Sequence, residues 1–112
     1  MARHFSDSEV AGLDPRLIRM LDDARDYAGV PFTITSGLRT PEQNAAAGGA
    51  PNSAHLRGLA VDLRCHDSKT RFKMIEGLLL ADFRRIVVYA SDGHIHADID
   101  SALPSPVFVV EG

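Results

Sequence analysis

The sequence predicts an α+β domain, a small antiparallel sheet with two or three helices packed on it, and three observations carry that prediction. Two long segments space their apolar residues as helices do, several short ones alternate or run apolar as strands do, and Asp92-Gly93 marks a tight hairpin between two of the latter. Helices and strands also come in mixed order, without the regular strand-helix alternation that builds a parallel sheet.

Taken along the chain, residues 1–12 read as a polar segment and a candidate flexible arm. Asp14-Pro15 then opens the first helix, because the carboxylate caps free amides and proline is pre-set at the first helical position. Leu17, Leu21, Ala24 and Ala28 recur at helical spacing, and Gly29 stops them. After Pro31, the alternation of Phe32, Thr33, Ile34 and Thr35 reads as a short half-buried strand ended by Ser36-Gly37. Thr40-Pro41-Glu42-Gln43 is a capping-box pattern opening a brief helix, and the glycine-proline loop from Gly48 to Asn52 ends it and delivers the chain to His55. From Leu59 to Leu63 the alternation returns, with Val61 and Leu63 on one side and Ala60, Asp62 and Arg64 on the other. Asp67 or Ser68 caps a second long helix, whose expected inward stripe is Phe72, Ile75, Leu79 and Phe83. Ile86, Val87, Val88 and Tyr89 read as a buried strand. Beyond the Asp92-Gly93 turn, Ile95, Ala97 and Ile99 alternate with His94, His96 and Asp98, and Phe108, Val109 and Val110 add an edge strand.

Composition limits the function. A chain of 112 residues fits one domain, spanning 1–112, on the usual scale of roughly 100–200 residues per domain. With 12 Lys+Arg against 15 Asp+Glu, it lacks the positive charge that neutralises phosphates, so nucleic acid is not an expected partner. No apolar run approaches the ~20 residues that span a bilayer, and no charged-then-apolar leader opens the chain. The expectation is cytoplasmic synthesis without a signal peptide, no membrane insertion and a monomer. A single cysteine, Cys65, excludes a disulfide framework and cysteine-rich zinc sites, which leaves the five histidines as the metal-capable nitrogens.

The strand alternation supplies the chemistry. If Val61 and Leu63 face the core, Asp62 faces away, and if Ile95, Ala97 and Ile99 face the core, so do His94 and His96 face away. With His55 arriving on a loop, these residues offer nitrogen and oxygen donors to one ion, and two histidines plus a carboxylate leave a position open for water, as in catalytic zinc sites. His-x-His on a strand is also a common solvent-facing pair. His4 and His66 read as bystanders and Cys65 as a core thiol. Ser53 lies near His55, but no Gly-x-Ser-x-Gly elbow supports a serine nucleophile.

Ser36-Gly37-Leu38-Arg39-Thr40, then Gly48 through Ser53-Ala54-His55, then six residues to Asp62, and finally His94-Ile95-His96-Ala97-Asp98 together resemble the zinc D-Ala-D-Ala carboxypeptidase family of peptidoglycan peptidases. That family includes L-alanyl-D-glutamate peptidases and shares its fold with the Hedgehog signalling domain. The resemblance covers Thr35 to Asp98 and implies a Hedgehog/DD-peptidase-like fold with zinc held by His55, Asp62 and His96. It implies that Arg39 holds the substrate carboxylate or polarises the scissile carbonyl, with Ser53 and Gln43 beside the cleft as substrate contacts or loop-ordering residues. Many members carry an acidic general base three positions before the last zinc histidine. Here that position is Gly93, so His94 is the first candidate base and Asp92 the second. The implied activity is zinc-dependent hydrolysis of peptidoglycan stem peptides, of carboxypeptidase or endopeptidase type, as in phage lysis enzymes or virion-associated wall hydrolases that act on the wall after release. The alternative is a catalytically silent zinc-binding module that recognises wall fragments or a protein partner.

Overall fold

A computed structural model describes residues 2–112. Its elements are α1 (Pro15–Ala28), β1 (Ile34–Ser36), α2 (Pro41–Ala46), a 3-10 turn (Ala54–Arg57), β2 (Ala60–Arg64), α3 (Ser68–Leu80), β3 (Arg85–Tyr89), β4 (His94–Asp98) and β5 (Val107–Glu111). The caps act as their chemistry requires. Asp14 accepts from the Arg16 amide at the start of α1, Gly29 closes it with φ 69°, and Thr40 and Gln43 form a complete capping box on α2.

The five strands form one sheet in the order β1-β2-β4-β3-β5. All pairs are antiparallel except β3 with β5, which corrects the purely antiparallel sheet expected from the sequence. The reason lies in connectivity: β4 already occupies one side of β3, so the chain passes over β3 and returns on its far edge in the same direction. Helices α1 and α3 cover one face of the sheet, against Val61, Leu63, Ile86, Val88, Ile95 and Ala97, and Phe5 and Val10 of the segment read as a candidate arm lie in the same core.

The inward face of α3 differs from expectation. Phe72 and Leu79 are 70% and 54% exposed, whereas Met74, Gly77 and Leu78 are buried. A Cβ on Gly77 would collide with the Ala24 carbonyl, so the two helix backbones touch there. That contact sets the rotation of α3 and turns Phe72 and Leu79, on the opposite side of the helix, toward solvent. Phe83, beyond the helix end, is buried as expected.

Neither α1 nor α3 covers the second face of the sheet. Cross-strand register places Ala60, Asp98 and Arg85 in one row, Asp62, His96 and Val87 in the next, and Arg64, His94 and Tyr89 in the third. Val87 and Tyr89 therefore look onto this open face, and β3 alternates rather than being buried throughout as the apolar run suggested. Among the described residues, no helix is long and apolar enough to cross a membrane.

Candidate metal centre

His55 reaches the open face from the 3-10 turn. Ser53 caps that turn by accepting from the His55 amide, and Gly58 closes it in the left-handed region at φ 69°. The end of β1 grips it from the other side: the Arg39 amide donates to the His55 carbonyl, and His55 Nδ1 lies 2.8 Å from the Gly37 carbonyl oxygen. A carbonyl only accepts, so Nδ1 donates to it and Nε2 is the nitrogen turned toward the cleft.

Nε2 of His55 lies 3.3 Å from Asp62 Oδ1, and Nδ1 of His96 lies 3.3 Å from the same oxygen. The donor atoms of His55, Asp62 and His96 all fall within 4.8 Å of one another. Ligands about 2.0–2.2 Å from a tetrahedral zinc stand about 3.3 Å apart. Two edges of this triangle thus already have the spacing that an ion would impose, and the His-Asp-His donor set fits a divalent metal with a position left over.

His94 is not in this triangle. It lies one residue pair along β4, lines the same cleft, and stacks on the Tyr89 ring with centroids 4.5 Å apart. Asp92, in the hairpin turn, also lines the cleft, as does Ser53. Gln43 does not line it; its side-chain oxygen accepts from the Thr40 amide, which is the loop-ordering role. The cleft measures about 590 Å³ and opens to solvent.

Arg39 is placed beside the centre but is already engaged. Its Nη2 donates to Asp62 Oδ2 at 2.9 Å, Nε to Ser36 Oγ at 2.9 Å and Nη1 to Asn44 Oδ1 at 3.3 Å. It therefore holds one oxygen of Asp62 and leaves the other for the histidines. Reading the sequence gave no role to three residues of this neighbourhood: Asp98, named only as part of the motif, whose Oδ2 is 2.7 Å from His96 Nε2, Arg85, which pairs with Asp98, and Tyr89. Strand alternation would have found Arg85 and Tyr89, had β3 been read as one-sided.

The electrostatics follow from this packing. Burial works against ionisation of Asp62, but hydrogen bonds from His55 and His96 and their charges outweigh it and hold the carboxyl well below the usual carboxylate range. Burial likewise opposes charge on His96, yet Asp62 and Asp98 on its two nitrogens raise its pKa to about 9. Burial and the nearby Asp62 charge push the Tyr89 phenol up, so it stays a neutral donor. Cys65 is buried in the core as expected.

The sheet thus has one helix-covered face and, on the other, two histidines and a carboxylate that converge in an open cleft and could hold a metal ion. The chain belongs to the peptidase M15 family, whose model matches residues 3–98. Among solved structures, the L-Ala D-Glu endopeptidase ChiX of Serratia marcescens shares the fold, with a TM-score of 0.58 at 20% identity over 89% of each chain. No curated protein matches the sequence.

Proposed function

We propose that this protein is a zinc peptidase that hydrolyses peptide bonds of peptidoglycan stem peptides. The observation that carries the reading is the convergence of His55 Nε2, Asp62 Oδ1 and His96 Nδ1 at ligand spacing in the cleft of an M15-family chain. His55, Asp62 and His96 would hold the ion. When bound, zinc supplies Lewis acidity and a water acidified enough to attack an amide at neutral pH.

The remaining work falls to the chain's own side chains. His94 lines the same cleft about 7 Å along the strand from His96 and is the first candidate to take a proton from an attacking water and return it to the leaving amine. Its stacking on Tyr89 fixes the ring plane and leaves the edge nitrogens free. Asp92 is the second candidate for that proton transfer. Ser53 borders the cleft and can contact the peptide. Arg39 holds Asp62 Oδ2, which leaves Oδ1 to the histidines, and it lines the cleft, where its remaining N–H groups can meet substrate.

We favour an endopeptidase. Three of the five N–H donors of the guanidinium that a carboxypeptidase would direct at a terminal carboxylate are engaged by Ser36, Asn44 and Asp62, which disfavours that use. The structural neighbour ChiX is itself described as an endopeptidase. Purified peptidoglycan incubated with the protein should release new amino groups, stop doing so with a chelator, and resume with added zinc. Binding of muropeptides by the zinc-loaded protein with no amine release would overturn the enzymatic reading.

A further inference from the structure

The ring of His96 lies between two carboxylates, and only one of them, Asp62, belongs to the metal triangle. We propose that Asp98, braced by Arg85, is a positioning residue that fixes the His96 ring so that Nδ1 is the nitrogen offered to the metal. This rests on the metal reading above. Asp98 is 1% exposed, and its two oxygens are divided between separate tasks. Oδ1 accepts from Arg85 Nε at 2.9 Å and from the Asp100 amide at 3.1 Å, while Oδ2 is left to His96 Nε2 at 2.7 Å.

Arg85 is the cross-strand partner of Asp98 and has little freedom, since Nη1 also donates to the Pro104 carbonyl. The carboxylate is thereby aimed from three sides: by its own strand, by β3, and by the loop that leads to β5. A buried carboxylate persists only with such partners. Their cost is offset if the ion they aim at needs a fixed ring. A histidine on an open sheet face can flip about Cβ–Cγ, which puts Cδ2 where Nδ1 stood and moves the lone pair away from the ion. Held at Nε2 by an anionic acceptor, the ring keeps one tautomer and its Nδ1 becomes a stronger donor. The two histidines are thus set by different means, His55 through the Gly37 carbonyl and His96 through a carboxylate.

Zinc titration against a competing chelator, together with nitrogen-15 NMR of the histidine rings, tests this. The wild-type protein should bind zinc through His96 Nδ1, with a slowly exchanging proton on Nε2. Asp98→Asn should weaken zinc binding about 10- to 100-fold and speed exchange of the Nε2 proton, with far-ultraviolet circular dichroism unchanged. Arg85→Gln should shift both readouts in the same direction by a smaller factor. Zinc affinity of Asp98→Asn within about twofold of wild type, well inside the usual loss for such a partner, or His96 bound through Nε2, overturns the proposal while leaving the metal site standing. If the wild-type protein binds no zinc at His55, Asp62 and His96, the metal reading fails and takes this one with it. Should Asp98→Asn not fold, Arg85→Gln decides: unchanged affinity refutes the role and reduced affinity supports it.

Discussion

Raising the pH of the metal-free protein from 6.5 to 9 should destabilise it, and the cause is His96. Between Asp62 and Asp98 its pKa rises from 6.5 to about 9, so folding favours the imidazolium. A group whose pKa is raised by folding contributes stability fully below its unfolded pKa and loses it as pH climbs through the folded value. The window is therefore about pH 6.5 to 9. At ~1.4 kcal/mol per pKa unit, the loss across it reaches at most about 3 kcal/mol. In a domain of this size that lowers the melting temperature by roughly 10 °C. Zinc reverses the dependence, because the ion needs the Nδ1 lone pair and must displace the proton. Apparent zinc affinity should accordingly rise by up to about tenfold per pH unit within the same window. Urea denaturation in the presence of chelator at pH 6.5, 7.5 and 9 measures the first effect, and calorimetry in buffers of different ionisation enthalpy measures the released proton. Stability of the metal-free protein that is flat or rising across the window, or a slope that survives in His96→Gln, would refute the reasoning.

Three further outcomes follow from the site and the packing. His55→Ala, Asp62→Ala and His96→Ala should each abolish stoichiometric zinc measured by atomic emission, since each removes one corner of the triangle. His94→Ala should retain zinc and lower kcat about 10²- to 10⁴-fold, the usual contribution of a positioned acid-base group; full activity with zinc retained would move that role to Asp92. In α3, Met74→Ala should cost about 2–5 kcal/mol in chemical denaturation, whereas Phe72→Ser should stay within about 0.5 kcal/mol, because the first is buried and the second is 70% exposed.

What the sequence made legible was local, and what it hid was relational. Alternation in β2 and β4 is a property of five-residue segments, so Asp62, His94 and His96 could be placed on one face from pattern alone. That face is the one the helices leave open. His55 has no periodicity to betray it, since a glycine-rich loop and a 3-10 turn carry it in, and only the family motif singled it out. The phase of α3 was misread because two of its faces are apolar: Phe72 and Leu79 lie on one and Met74, Gly77 and Leu78 on another, with Ile75 partly buried against the core. What decides between them is the contact of Gly77 with α1, which no property of α3 by itself contains. The parallel pairing of β5 depends in the same way on β4 having taken the other side of β3.

The residues around the metal triangle divide along the same line. The three donors are chemically conspicuous types at recognisable spacing. Their supports are a backbone carbonyl at Gly37, an arginine 23 residues before Asp62, and a carboxylate two residues after His96 that is itself held from β3. Each acts on a ligand rather than on an ion, so its residue type carries no metal signature. Arg39 shows the consequence most clearly: the family motif suggested a contact to substrate, and the fold adds a bond to Asp62 that the motif does not state. The donor set fits a divalent metal. The supports determine which atom of each donor the protein offers, and therefore where on the open face the vacant position points.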